Sequence, residues 1–292
     1  MQVLVLGGNG MLGHQLCRLL TEQMIEVWGT FRERPIKFDF LPKERILTNV
    51  VVQDLTRIQE ILDTVKPDAV VNATGIVKQR DEAKQAIASI QVNALFPHQL
   101  AEICSRRDIR VIQISTDCVF SGFRGNYSEI DNPDPVDLYG RSKLLGELNQ
   151  PGVLTLRTSI IGWQLNTLSS LLSWFALQRN KHIKGYRKAI YSGFSTSVLA
   201  RLIGDILQTR PDLNGLYQVA SDPISKYDLL MKLRDLLGWK DITIEPDDLF
   251  SCDRSLSGAH FSTITGWKPP SWDSMLHGLA EEWPYYSGFN NQ

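Results

Sequence analysis

The chain has 292 residues, 43% hydrophobic and 22% charged, with 31 Lys+Arg against 32 Asp+Glu for a net charge of -1. That is the composition of a globular chain, and its balance gives no electrostatic reason to expect a nucleic-acid or membrane partner. No window holds the roughly 20 apolar residues of a membrane span. Met1-Gln2-Val3 lacks the basic start of a secretory leader. The scattered Cys17, Cys104, Cys118 and Cys252 match neither a disulfide framework nor a zinc site. These traits predict a cytoplasmic protein with reduced thiols and no metal centre built from His and Cys, and they leave a Mg²⁺ held by carboxylates open.

In chain order, Val3 to Leu6 is a short apolar run that ends in glycines, as a buried parallel strand does. Met11 to Leu20 carries apolar residues at helical spacing. Glu26 to Thr30 reads as a second strand, Val50 to Val52 as a third, Leu55 to Val65 as a helix and Ala69 to Ala73 as a fourth strand. Ala83 to Arg106 reads as a long helical region interrupted near Pro97. Val111 to Ser115 is a fifth strand, Leu138 to Leu148 a helix and Val153 to Leu156 a sixth strand. This alternation predicts an α/β fold with a doubly wound parallel sheet and helical crossovers.

Beyond Arg157 the pattern loosens. Leu168 to Leu177 and Val198 to Leu207 read as helices and Leu216 to Val219 as a strand. Ser225 to Leu237 reads as a helix with Ser225 as its N-cap. Trp267, Trp272 and Trp283 are expected to pack a smaller lobe rather than stack on a ligand. The division expected is a Rossmann domain over residues 1–158 and a C-terminal α/β substrate domain over 159–292, with segments near 190–222 returning to the first.

Between the first strand and the first helix stands Gly7-Gly8-Asn9-Gly10-Met11-Leu12-Gly13. Gly7 permits a tight turn, Gly10 lets backbone approach a pyrophosphate, and Gly13 lets the helix pack close to the sheet. Met11 and Leu12 open the helix, whose free N–H groups and partial positive charge favour phosphate. Arg32 and Arg34 follow the second strand, where an NAD site has an acid for the ribose; their charge favours a 2′-phosphate and hence NADPH. Glu33 and Asp39 leave NADH open, and either arginine also reads as a solvated loop charge. Asp54 and Leu55 fall where an adenine would lie.

Tyr139-x-x-x-Lys143 places a phenol and an ammonium on one helix face. The cation favours the phenolate, which brings proton exchange with a carbonyl oxygen nearer neutral pH. Lys143 is also positioned for the nicotinamide ribose. Thr116, leaving the fifth strand, offers a second hydroxyl to polarise a substrate carbonyl. Tyr-x-x-x-Lys alone is common; its combination with Ile114-Ser115-Thr116-Asp117-Cys118-Val119-Phe120 favours catalysis over an exposed helix pair and an Asx turn.

Together these segments resemble the extended short-chain dehydrogenases, and within them the dTDP-4-dehydrorhamnose reductase family. The match runs through Gly7 to Gly13, Val71 to Gly75, Val92-Asn93-Ala94, Ile114 to Phe120, Tyr127-Ser128-Glu129, Tyr139 to Glu147 and Leu156 to Ser159. The resemblance implies a Rossmann fold and NAD(P)H-dependent reduction of the 4-keto group of a nucleotide-linked 6-deoxy sugar, by a homodimer. It implies Thr116, Tyr139 and Lys143 as catalytic residues, with Ala73, Thr74, Gly75 and Asn93 lining the cofactor. It puts Asp117 against the sugar, with Arg157 and Ser159 beside the nicotinamide and substrate.

This chain departs from the family in three places. Cys118 stands where an aromatic residue is usual, Ser192 to Thr196 lacks the usual proline, and the loop Ile76 to Arg80 differs. Cys118, Lys78 and Arg80 are therefore candidate substrate contacts, and Lys184 and Arg187 are candidates for the nucleotide diphosphate; solvated loop charges are the competing reading. Without a glutamate after Asp117, a 4,6-dehydratase is disfavoured. A 4-epimerase remains an alternative. So does a non-catalytic cofactor-binding subunit, since the β subunit of methionine adenosyltransferase is similar to the same family.

Overall fold

A computed structural model of the chain describes residues 1–35, 38–77, 85–165 and 170–288. The chain divides into two compact units. One comprises Met1–Ser115, Asp137–Leu156 and Thr196–Leu216; the other Thr116–Val136, Arg157–Ser195 and Tyr217–Gln292.

In the first unit the elements run β1 (Gln2–Leu6), α1 (Gly13–Glu22), β2 (Glu26–Thr30), β3 (Ile46–Leu47), α2 (Leu55–Val65), β4 (Ala69–Asn72), α3 (Ala86–Ser89), α4 (Phe96–Ser105) and β5 (Arg110–Thr116). Then come α5 (Leu138–Leu145) and β6 (Val153–Thr158). β7 (Ile160–Ile161), α6 (Leu171–Ala176), β8 (His182–Tyr191) and β9 (Phe194–Ser195) belong to the second unit. α7 (Thr196–Thr209) and β10 (Gly215–Gln218) return to the first sheet. The second unit closes with β11 (Ile224–Ser225), α8 (Lys226–Leu236), β12 (Thr243–Asp253), α9 (Ala259–Thr265) and α10 (Trp272–Ser287).

The seven-stranded sheet has the order β10-β6-β5-β4-β1-β2-β3. This is the doubly wound arrangement, with strand order reversing between β1 and β4, where such sheets bind ligands. β1 pairs in parallel with β2 and β4, and β4 with β5. Val3 to Leu6 are fully buried, because parallel strands are covered on both faces. One face packs Leu4, Leu6, Val70 and Val111 against Ile58 and Leu62 of α2 and Leu100 of α4. α1 packs against α7 near Gly204, where a Cβ would meet the Gln23 side chain at 2.0 Å.

The third strand lies at Ile46–Leu47, not at Val50 to Val52. Phe31 N donates to Leu47 O and Val50 N to Phe31 O, but Asn49 turns left-handed with φ 58° and ends the extended run between them. The break near Pro97 is a π-helical stretch over Ile90–Leu95, which runs directly into α4 with Pro97 as its second residue. Ala83, where the long helical region was expected to start, lies outside the described residues, as do residues 166–169 before α6. Ser225 caps α8, accepting from Asp228 N at 2.9 Å.

The second unit holds a sheet of order β11-β8-β12. Its core is aromatic. Trp163 is fully buried, donates to Leu279 O at 2.8 Å and packs 4.7 Å from Trp283. Trp267 lies 5.5 Å from Phe194, and Trp272 5.3 Å from Tyr191. Among the described residues no helix is long and apolar enough to cross a membrane.

Candidate active site

The glycine turn leaves β1 at the switch point. Gly7 takes φ +88°, and a Cβ there would meet Thr74 Cγ2 at 3.1 Å and Ala73 O at 3.3 Å. Ala73 and Thr74 thus border the turn, and Thr74 is held by Asn72 Oδ1, which accepts from its hydroxyl at 2.5 Å. A Cβ on Gly13 would strike Gly7 O at 2.0 Å, so only glycine lets α1 begin this close to β1. A Cβ on Gly10 would meet Gly7 O at 3.1 Å and Ala73 O at 3.9 Å, so a side chain there would press on the turn. Leu12, at the N-cap of α1, offers no side-chain cap, and His14 N in the first turn donates to Gly10 O at 3.1 Å. Buried His14 shares Gly10 O at 2.8 Å, and burial pushes its pKa down to about 4, so it holds the turn as a neutral ring. This backbone cradle suits a pyrophosphate.

Beyond β2, a cavity of about 300 Å³ is lined by Arg34, Pro35, Phe38, Lys43, Ile46 and Thr48. Arg32 is exposed and outside that lining. Lys43 and Thr48 escaped the sequence reading because they follow a loop whose return beside Arg34 is a tertiary event. Asp54 caps α2, accepting from Arg57 N at 3.0 Å, and Leu55 begins that helix.

On α5, Asp137 caps the helix through Gly140 N at 2.8 Å, so Tyr139 stands in the first turn and Lys143 one turn later. Lys143 is 6% exposed and donates to Ile114 O on β5 at 2.6 Å. Burial pushes its pKa down to about 8, opposed by the charge of Glu147. Glu147 is itself held by Ser115 Oγ at 2.6 Å. Asn93, in the π-helical stretch, receives Ile76 N at 2.9 Å and donates to Ile76 O at 3.0 Å and Ser142 Oγ at 3.2 Å. Ser142 Oγ in turn donates to Tyr139 O at 3.0 Å. One buried amide therefore ties the segment following Gly75 to the helix carrying Tyr139 and Lys143.

In the second unit, buried Thr116 ends β5. Its Oγ accepts from Cys118 N at 3.1 Å and donates to Asp117 Oδ1 at 3.1 Å. Asp117 is 7% exposed. Burial raises the Cys118 thiol to about 12, and Arg254 Nη1 lies 3.6 Å from its sulfur. That thiol is therefore a neutral packing group at physiological pH. Ser159 is half-buried, and its carbonyl accepts from Phe194 N at 2.9 Å. The buried Arg157 guanidinium lies 5.4 Å from the Phe120 ring centroid. Lys184 and Arg187 are exposed and already paired, with Asp247 at 3.1 Å and, through Nε, with Asp248 at 2.9 Å. Lys78 and Arg80 lie outside the described residues.

Fold and site define a Rossmann-type α/β protein with the tyrosine–lysine helix of the short-chain dehydrogenases. The chain belongs to the RmlD substrate binding domain family, whose model matches residues 1–249. It is 29% identical over 265 residues to the probable low-salt glycan biosynthesis reductase Agl14 of Haloferax volcanii, covering 87% of this chain and 86% of that protein. It is 28% identical over 247 residues to a dTDP-4-dehydrorhamnose reductase of Aggregatibacter actinomycetemcomitans, covering 80% and 78%. It shares its fold with the crystal structure of a dTDP-4-dehydrorhamnose reductase from Bacillus anthracis in complex with NADP, with a TM-score of 0.80 at 21% identity over 96% of this chain and 99% of that one.

Proposed function

We propose that the chain reduces the 4-keto group of a nucleotide-diphospho-6-deoxy-4-keto sugar with NADPH, in deoxysugar and cell-surface polysaccharide biosynthesis. The observation that carries this reading is the buried Lys143 ammonium, anchored on Ile114 O one helical turn from Tyr139. A lysine held that way has lost its conformational freedom and is placed to stabilise a neighbouring phenolate. Tyr139 delivers its proton to the carbonyl oxygen as it becomes an alcohol, and Lys143 restores the balance of charge. Thr116 is assigned the second hydroxyl that polarises the carbonyl, a role in which that oxygen takes over the hydrogen now given to Asp117.

The glycine cradle at Gly7, Gly10 and Gly13, with the backbone of Met11 and Leu12, suits the cofactor pyrophosphate. Ala73, Thr74, Gly75 and Asn93 border the same switch point. Bound NADPH would supply the hydride to the sugar carbon. Arg34 and Lys43 in one cavity support a 2′-phosphate, and hence NADPH over NADH. The four free thiols support a cytoplasmic setting.

Turnover of dTDP- and UDP-linked 4-keto-6-deoxyglucose, followed at the NADPH absorbance band, tests the reading. Tyr139→Phe should lower kcat by about 100-fold or more while NADPH affinity stays within about twofold. Near wild-type turnover in that variant would overturn the proton-donor assignment.

A further inference from the structure

Two consecutive residues of β5 each hold one charged side chain from the α5 segment. Ile114 O accepts from the Lys143 ammonium at 2.6 Å, and Ser115 Oγ donates to Glu147 Oε1 at 2.6 Å. Glu147 N donates to Leu144 O at 3.1 Å, so the chain keeps turning past the end of α5 and brings Glu147 round to the side that Lys143 faces. Gly146, whose Cβ would strike Asn93 O, fixes the backbone between them. By covalent geometry the carbonyl oxygen of one residue and the side-chain oxygen of the next are at most about 5 Å apart. Adding the two hydrogen bonds, Lys143 Nζ and Glu147 Oε1 lie within about 10 Å of each other across one peptide unit of β5.

The bond from Ser115 does not require a charge at position 147, because a hydroxyl donates equally to an amide oxygen. What the carboxylate adds is its field at Lys143. That ammonium is 6% exposed, and a buried cation is costly without a counter-charge. The other elements packed against α5 offer none. The segment Ala86–Leu95, comprising α3 and the π-helical stretch, contains no ionisable side chain. On α4, His98 meets α5 at its exposed end, through Leu145 O at 2.7 Å. On β5, Arg110 stands at the opposite end of the strand and donates to Leu213 O. On α5 itself, Arg141 is exposed and Tyr139 is the group to be assisted. Burial works against the charge on Lys143, and Glu147 opposes that effect.

We propose that Glu147, clamped by Ser115, is a positioning residue for the reduction: it is the counter-charge that keeps the buried Lys143 ammonium cationic beside Tyr139. This rests on the reductase reading above.

Two measurements on the full chain test it. NMR of ¹³Cε-labelled lysine, assigned with Lys143→Met, follows the titration of Lys143 without any turnover. The pH dependence of kcat/KM is read with whichever dTDP- or UDP-linked 4-keto-6-deoxyglucose the wild-type protein reduces. Glu147→Gln keeps an oxygen for Ser115 and removes the charge. It should lower the Lys143 midpoint by about 0.5–1 pH unit and move the alkaline limb of kcat/KM down equally, a loss of about 3- to 10-fold at a pH on that limb. Ser115→Ala, which frees the carboxylate, should shift both readings in the same direction. Ser115→Thr, which keeps the hydroxyl, should restore the wild-type values. NADPH affinity on the acid side of the limb should stay within about twofold, which a general loosening of α5 would not allow. If Glu147→Gln loses NADPH binding and hence its fold, the two Ser115 variants decide by the same criteria. A midpoint and limb that stay within about 0.2 pH unit of wild type, or that move upward, overturn the proposal and leave the reductase reading intact. If the wild-type protein reduces none of these sugar nucleotides, the reductase reading fails, and the NMR midpoint still decides whether Glu147 is the counter-charge.

Discussion

Lys143 carries two opposing demands. In the proposed mechanism it must remain charged to assist Tyr139, yet it is 6% exposed and its pKa is lowered to about 8 by burial. The dependence of kcat/KM on pH should therefore fall above about pH 8 as the ammonium is lost, a limb absent from Lys143→Met, whose overall activity is low. Stability runs the other way. The folded pKa lies below the unfolded value, so between about pH 8 and pH 10.5 the unfolded chain holds more protons and the lysine's contribution to stability rises with pH. Urea midpoints of wild type relative to Lys143→Met should accordingly increase across that window; a constant difference would mean that Lys143 is solvated in the folded protein. Tyr139-x-x-x-Lys143 was legible in the sequence because helical spacing alone puts the two on one face. The anchor at Ile114 O was not, because it joins residues brought together only by the sheet.

Helix α5 is seated by a close approach at its C-terminus. A Cβ on Gly146 would meet Asn93 O at 1.9 Å and Pro97 Cγ at 3.2 Å. The Asn93 atom is backbone and cannot swing aside, so Gly146→Ala must push α5 off the π-helical stretch. We expect a loss of about 2–3 kcal/mol in stability, as for other overpacked interiors, measured by urea unfolding. Turnover should fall as well, since Asn93 and Ser142 link that stretch to Tyr139. The long helices of the sheet unit were legible from apolar spacing, and α2 was read with its observed ends, Leu55–Val65. The short third strand was misplaced because Val50 to Val52 has the right composition, while a left-handed Asn49 decides the geometry. β8 and β12 left no readable pattern. β8 nearly alternates in burial but not in composition, since Gly185 is buried and Tyr186 exposed, and β12 holds Pro246 and is mostly exposed, so neither sequence shows the period of two that marks a half-buried strand.

At the scale of the whole molecule, the family match ends at residue 249 but the packing of the second unit does not. Phe261, Leu276 and Leu279 are buried, and Trp163 gives its indole N–H to Leu279 O. Removal of residues 259–292 should expose Trp163, now fully buried, and shift tryptophan emission to longer wavelength. It should also lower stability by several of the roughly 2–5 kcal/mol steps that deleting a large core side chain costs. Unchanged emission and melting would mean that this segment is an appendage. Cofactor binding to the first unit reads out separately, because the glycine cradle is built within Met1–Ser115.

Sequence alone determined what depends on neighbours along the chain: the glycine turn, the hydroxyl and lysine on one helix, the alternation that makes a doubly wound sheet, and the family motifs. These follow from fixed backbone periods and from the conformations only glycine permits. Tertiary structure decided which charges are left to act. Lys184 and Arg187, promising in the sequence, are exposed and paired with Asp247 and Asp248 from a strand far along the chain. Lys43, which lines one cavity with Arg34, emerges instead. Burial and the distance to a partner set the worth of a charge, and both are created by folding.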